Sequence, residues 1–281
     1  MATSLSKGKT PAAASSNKPD DFYWLVGICL AALVFRVWTP WDVVFEGGAV
    51  RLQQIDAYYY LRLVENFLAH PPWLIFHDPY AVAMSDGAVT GAPMFAMVLG
   101  LIAWICPAAP AVTIAIVPAF LGAAAPVIVY LMTRRLTGSR GAGLMAAAIL
   151  AVLPGAWLRA SQLGSADHHV LEGLLASVVL AAWMRAIDTE RQSDAAMAGL
   201  ALWAYLATWA GGALIVAILV GWTCLQCGVD VWHGRRVGYL GRITVVAFGL
   251  AALGYLPLSY VYLWKYTMAA LGGGILIGVL F

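Results

Sequence analysis

LGSADHHVLEGLLASVVLAAW, residues 163–183, gathers Asp167, His168, His169 and Glu172 within six positions and then runs into apolar sequence. Four titratable side chains at the mouth of a hydrophobic segment are costly for a membrane protein to place, so they face a cavity or a partner rather than lipid. The segment reads as a helix that enters a bilayer with a polar cluster at its outer end.

The rest of the chain agrees with that reading. Of 281 residues, 62% are hydrophobic and 11% are charged, against about 25% charged in an ordinary soluble domain. The fold class is therefore all-α, a polytopic transmembrane helical protein. The net charge of +2 is too small to point to a nucleic-acid partner, and none is expected; membrane lipids are the surroundings. Cys29, Cys106, Cys224 and Cys227 show no disulfide spacing, and the Cys224-x-x-Cys227 pair lacks a βαβ context or a second pair for zinc. They read as small apolar packing residues.

Residues 1–21 are small, polar and proline-containing, and read as a disordered cytoplasmic tail before an uncleaved first span. A spanning helix needs about 20 mostly apolar residues. Apolar runs cover 22–39, 90–106, 111–133, 141–158, 169–186, 195–209, 211–229, 239–264 and 267–281. Cytoplasmic loops collect Lys and Arg. Eleven of the sixteen basic residues fall into four clusters: Lys7, Lys9 and Lys18; Arg134, Arg135 and Arg140; Arg185 and Arg191; and Arg235, Arg236 and Arg242. All four clusters share a side only if an even number of spans separates each pair. Three runs lie between the tail and Arg134, so one does not cross. The run 90–106 is short and contains Gly91, Pro93 and Gly100, which marks it as a helix on the outer face. About eight spans over 22–281 follow, with a large first external loop, 40–110, and a second, 159–168. The N-terminus is cytoplasmic, and Asp56 and Asp167 come to the same outer face.

Asp56 opens an amphipathic segment, IDAYYYLRLVENFL, whose tyrosines suit a membrane interface. By itself it reads as a solvated acid on an interfacial helix, with Tyr58, Tyr59 and Tyr60 structural. In the second loop, Asp167 and His169 offer an oxygen and an imidazole nitrogen. With an Asp from another loop they suit one divalent cation, Mg2+ or Mn2+, the imidazole tilting the choice toward Mn2+. His168 or His169 can pair with Glu172 at helical spacing. The competing reading makes Ser165 or Asp167 a helix N-cap, with the histidines and Glu172 simply interfacial.

In order along the chain, these features resemble the catalytic subunit of oligosaccharyltransferase in its archaeal or bacterial, Asp-His-His form. One N-terminal span is followed by a long loop with an early Asp and aromatics. A segment, HDPYAVAMSDGAVTGAPMFAMVLGLI, then precedes a non-spanning helix and contains His77, a further candidate. GSADHHVLEGLL follows, and then YLATWAGG. The resemblance implies a GT-C glycosyltransferase fold. It implies transfer of a glycan from a lipid-linked donor, a polyprenyl phosphate or pyrophosphate, to the Asn of an acceptor polypeptide carrying Asn-X-Ser/Thr. It also implies a divalent cation, Mn2+ or Mg2+, held by Asp56, Asp167 and His169, with Asp56 catalytic and Arg159 and Trp209 on the donor side. His168 and Glu172 are further candidates. The implied location is the cell inner membrane, with the site on the periplasmic or extracellular face of a single-subunit enzyme.

The chain contains no WWD sequence, and the resemblance makes it the N-terminal transmembrane portion, cut before the soluble sequon-reading domain. The 281 residues alone are then expected to be inactive or very weak. Three other readings compete. The same fold also serves protein O-mannosyltransferases and lipid-sugar transferases. Asp167, His168, His169 and Glu172 would suit an ion or proton path in a transporter, although no self-similar halves support one. The chain would also serve as a non-catalytic membrane fragment.

Overall fold

The computed structural model describes residues 19–80, 87–106 and 108–281. Their regular structure is helical: α1 (Pro19–Trp38), α2 (Trp41–Val44), α3 (Ile55–Ala69), α4 (Met94–Ile105), α5 (Pro110–Thr137), α6 (Arg140–Val152), α7 (Ala156–Ala160), α8 (His168–Thr189), α9 (Gln192–Leu206), α10 (Ala213–Trp232), α11 (Gly238–Tyr255) and α12 (Trp264–Leu280). Among the described residues five helices, α1, α5, α8, α10 and α11, are long and apolar enough to cross a membrane. In α6, α9 and α12 the helices are shorter, at 13, 15 and 17 residues.

The boundaries depart from the apolar runs where proline intervenes. The run 141–158 ends as a helix at Val152, because Pro154 disfavours helical backbone at the residue before it and Gly155 turns the chain at φ 139°. The connection to α8 therefore begins at 153, earlier than the second loop taken from the sequence. The run 239–264 ends its α-helix at Tyr255, ahead of Pro257, and finishes in a 3-10 turn over Leu256–Leu258. Of the expected tail, residues 1–18 lie outside the described residues, and Pro19–Asp21 already belong to α1. Inside α5, Pro118 and Pro126 are accommodated, as membrane helices allow when neighbours satisfy the freed backbone groups.

Small residues let these helices approach closely. A Cβ on Gly199 of α9 would lie 2.6 Å from the Ala247 carbonyl of α11, so those two backbones touch. One core joins α8 to α12 around Trp183, Leu202, Leu206 and Phe248. A second joins α2, α3, α4, α5, the connection before α8, and α8 itself, through Val44, Leu52, Val64, Phe95, Leu99, Ile114, Leu163, Ala166 and Val170. This second core forms the floor of the functional site. It buries Leu163 and Ala166 of the loop completely, so the loop is packed like a helix rather than left to solvent.

An acid and imidazole cluster at the start of α8

Asp167 occupies the N-cap position of α8 with extended backbone, yet its side chain makes no capping hydrogen bond. The carboxylate is 6% exposed and turns to the histidines instead. Oδ1 stands 2.7 Å from Nδ1 of His168, and Oδ2 3.8 Å from Nε2 of His169. The first contact lies off the hydrogen-bonding line, and Asp167 Oδ1 is buried without a hydrogen-bond partner. A buried carboxylate oxygen left unsatisfied is costly, so this atom is shaped for something that binds to it. The helix N-terminus adds a favourable partial positive charge. Burial pushes the Asp167 carboxyl up, but the two imidazoles and the His169 amide more than offset it and hold it below the ordinary value of 3.8.

Glu172 fixes the second imidazole. Its Oε2 lies 2.8 Å from Nδ1 of His169. A carboxylate only accepts, so Nδ1 carries the proton and Nε2 faces the Asp167 side. A carboxylate that orients a histidine in this way is the usual support of a metal-ligating imidazole. Among the described residues Asp167, His168 and His169 form a metal-competent group, with one ligand atom each and all three within 4.8 Å of one another. One cation with bonds of about 2.0–2.2 Å holds opposite ligands about 4.4 Å apart, so small side-chain adjustments suffice.

The first loop reaches this cluster through Tyr60. Its hydroxyl lies 3.3 Å from Nδ1 of His168, and its ring stands edge-on to Phe95 of α4 at 4.8 Å. Burial pushes the Tyr60 hydroxyl far up, and the charges of Asp167 and then Asp56 push in the same direction. Both carboxylates thus act on one phenol. Asp56 sits exposed in the first turn of α3, one helical turn before Tyr60 and on the same face. Sequence reasoning missed Tyr60, because what distinguishes it from Tyr58 and Tyr59 is its contact with His168.

The other candidates are distributed around the same end of the bundle. Arg159 is exposed on α7. Trp209 follows α9, half-buried, with its ring against Gly211, where a Cβ would come within 2.5 Å. The nearby Ala207 carbonyl accepts from the amide of Met94 at 2.9 Å, which ties the start of α4 to the end of α9. His77 pairs in an isolated antiparallel bridge with Ala88 and stands apart from the metal-competent group. Next to it, Asp78 takes both oxygens to Arg62 at 2.6 and 2.8 Å.

A helical membrane bundle with an acid and imidazole cluster at a helix start, under a long packed first loop, has the transmembrane GT-C fold of archaeal oligosaccharyltransferases. The chain belongs to the oligosaccharyl transferase STT3 family: the family's model, described as Oligosaccharyl transferase STT3, N-terminal, matches residues 28–230. A relative named dolichyl-phosphooligosaccharide-protein glycotransferase 3, from Archaeoglobus fulgidus, is 30% identical over 261 residues, which is 85% of this chain and 30% of the relative. An oligosaccharyltransferase AglB from the same organism, solved with an inhibitory peptide and a dolichol-phosphate, superposes with a TM-score of 0.84 at 25% identity, covering 93% of this chain and 33% of that one. A crystal structure of the A. fulgidus oligosaccharyltransferase with Zn and sulfate gives 0.82 at 26% identity, covering 92% and 35%. The chain spans about a third of the length of these relatives.

Proposed function

We propose that this chain forms the transmembrane, donor-side part of an enzyme that moves a glycan from a polyprenyl phosphate or pyrophosphate carrier to the Asn of Asn-X-Ser/Thr. The observation that carries the proposal is the clustering of Asp167 with His168 and His169, each offering a ligand atom within 4.8 Å of the others. Relatives solved with a dolichol-phosphate and a peptide, or with Zn and sulfate, support it.

Asp56, Asp167 and His169 would hold a divalent cation, Mn2+ or Mg2+, which when bound neutralises charge developing on the leaving phosphate. Asp167 presents its free Oδ1, and His169 its Nε2, oriented by Glu172. An Asn carboxamide is a poor nucleophile because its nitrogen lone pair is delocalised into the carbonyl. The Asp56 carboxylate, exposed at the start of α3, accepts from the acceptor N–H and holds the amide where that conjugation is weakened. Arg159 pairs with the donor phosphate through its guanidinium fork, and Trp209 lines the donor side. The cluster lies on the periplasmic or extracellular face, the N-terminus is cytoplasmic, and all eight of α1, α5, α6, α8, α9, α10, α11 and α12 cross the membrane.

The test is a Mn2+ titration of the purified chain followed by electron paramagnetic resonance. The wild type is expected to bind one ion per chain and Asp167→Ala none; equal binding by both rejects the site. A chimera that joins these 281 residues to the remaining part of the A. fulgidus relative, supplied with a lipid-linked oligosaccharide and a fluorescent sequon peptide, is expected to shift the peptide on a gel. The 281 residues alone are expected to give little or no shift.

A further inference from the structure

Arg36 lies in the last turn of α1, inside an apolar span, and is 0% exposed. Among the described residues no carboxylate pairs with it. Its Nε donates to Ser161 Oγ at 2.9 Å, and its Nη1 donates to the carbonyls of Ala32 and Ala151, each at 2.9 Å. Its Nη2 is buried without a partner. On α5, Gly122 leaves the room: a Cβ there would stand 2.5 Å from the Arg36 Nε.

A buried cation without a counter-charge is a poor device for stability, since an apolar side chain of similar volume usually fills such a place at no loss. What Arg36 touches suggests another role. Ala151 carries one of the last carbonyls of α6, which have no partner inside the helix, and it marks the start of the connection 153–167. Ser161 sits in the middle of that connection and is itself bonded to the Trp157 and Leu158 carbonyls at 2.7 and 3.2 Å. The Arg36 carbonyl then accepts from the amide of Leu163 at 3.0 Å. One residue thus ties α1 to the connection at two points, Ser161 and Leu163, and to the end of α6 at Ala151. Immediately beyond, the Gly164 amide donates to the Ala115 carbonyl at 2.8 Å, and the Gly164 carbonyl accepts from Gln53 of the first loop at 2.9 Å. Asp167 follows three residues later.

We propose that Arg36 is a positioning residue that holds the connection 153–167 against α1 and so sets where Asp167 stands relative to the first loop that carries Asp56. The fork of Arg suits this task because Nε and Nη1 point at a hydroxyl and two carbonyls at once; an ammonium is a compact point charge on a flexible stem. The effect on metal affinity rests on the metal site proposed above. The effect on the loop does not.

The test compares wild type, Arg36→Met, Arg36→Lys, Ser161→Ala and, as a control at the opposite end of the bundle, Arg135→Gln. Backbone hydrogen exchange across 159–167 and Mn2+ affinity are both measured on the whole chain. Arg36→Met is expected to fold, to exchange about tenfold faster over 159–167 and unchanged over 130–142, and to bind Mn2+ about tenfold more weakly, the scale of a lost supporting contact. Arg36→Lys is expected to fall between Met and wild type in both measurements, and Ser161→Ala to loosen the same segment by about threefold. Arg135→Gln is expected to leave 159–167 and Mn2+ affinity unchanged. If Arg36→Met leaves exchange over 159–167 unchanged, or speeds it equally everywhere, the proposal fails. If Arg36→Met does not fold, Ser161→Ala decides, and unchanged exchange over 159–167 overturns the proposal. If the wild type binds no Mn2+, the metal site fails while the exchange results still judge Arg36.

Discussion

The two ends of the helix bundle treat their acidic residues in opposite ways. At the end where α1 begins, the four acids Asp21, Asp188, Asp194 and Asp230 are each matched to arginine. Asp21 is held by Arg140 and by the Tyr130 hydroxyl at 2.9 Å, with Arg134 at 3.7 Å. Asp188 meets Arg135 at 2.5 Å, and Asp194 takes Arg185 at 2.8 Å and the Thr189 hydroxyl at 2.7 Å. Asp230 accepts from Tyr239, Gln226 and Arg235 at 2.8, 3.0 and 3.3 Å. At the other end Asp56, Asp167 and Glu172 have no arginine or lysine partner among the described residues, and Asp167 and Glu172 meet imidazoles instead. Arginine is available there: Arg51 pairs with Glu46 and Arg62 with Asp78 in the same loop. Acids that are paired fasten helices together. Acids left to one another and to imidazole carry a standing cost that a bound cation relieves, and that difference is what separates scaffold from site.

The sharpest way to break this comparison is to ask whether the two ends face opposite compartments. With the native cysteines replaced, Arg159→Cys is expected to react fully with an impermeant maleimide added outside intact cells, and Ser139→Cys not at all until the membrane is permeabilised. Equal labelling would place both ends on one side and dissolve the contrast.

Next in size is an exchange of roles between acids. Asp167→Asn is expected to weaken Mn2+ binding at least about 100-fold, more than the 10–100-fold of a lost supporting partner, while thermal stability falls only slightly, because the lost charge meets imidazole rather than arginine. Asp21→Asn should do the reverse, leaving Mn2+ affinity intact and lowering the melting temperature by about 6–10 °C, the scale of a broken buried pair. If both substitutions act alike in the two assays, the ends are not functionally distinct.

A smaller effect is expected at Gly164, where φ is +82° and a Cβ would come within 2.8 Å of Val44 Cγ2 and 3.3 Å of Gln53 Cγ. Gly164→Ala is expected to cost about 1–3 kcal/mol for the left-handed backbone alone, read by thermal or denaturant unfolding. It is also expected to weaken Mn2+ binding several-fold by pushing the two loops apart. Gly138 offers a control at the arginine-rich end: its φ of +66° carries the same strain but its neighbourhood is open, so Gly138→Ala should destabilise without touching the metal.

The smallest effect is a pH response confined to the first loop. Arg62 holds the Asp78 carboxyl below its ordinary 3.8. A group whose pKa is depressed by folding contributes stability above its unfolded value, and that contribution is lost as pH falls through the folded one. Loop protection, followed by the fluorescence of Trp73 in a tryptophan-reduced variant, should therefore be flat from pH 7 to 5 and fall only below about 3.8. Arg62→Gln should lower protection at neutral pH and flatten the acid-side loss.

The helical membrane class, the rough helix positions and the Asp-His-His cluster were legible in the sequence, because hydropathy and the spacing of side chains along one segment are local properties. The match of Asp167, His168 and Glu172 to a helix start needed no partner to be recognised. Local pattern did not show that Asp167, although at the N-cap, turns its carboxylate away from the helix, since capping and ligand readings share the same residues. It did not separate Tyr60 from Tyr58 and Tyr59, because the distinction is a contact with His168 more than a hundred positions away. Nothing in the sequence singles out Arg36 within its apolar run; the packing of α1 against α5 and α6 places it on Ala151 and Ser161. Nothing local singles out Gly164 either; Val44 and Gln53 stand where its Cβ would be. These features belong to pairs of distant segments, and only the packing of helices whose small residues let backbones touch decided which segments meet.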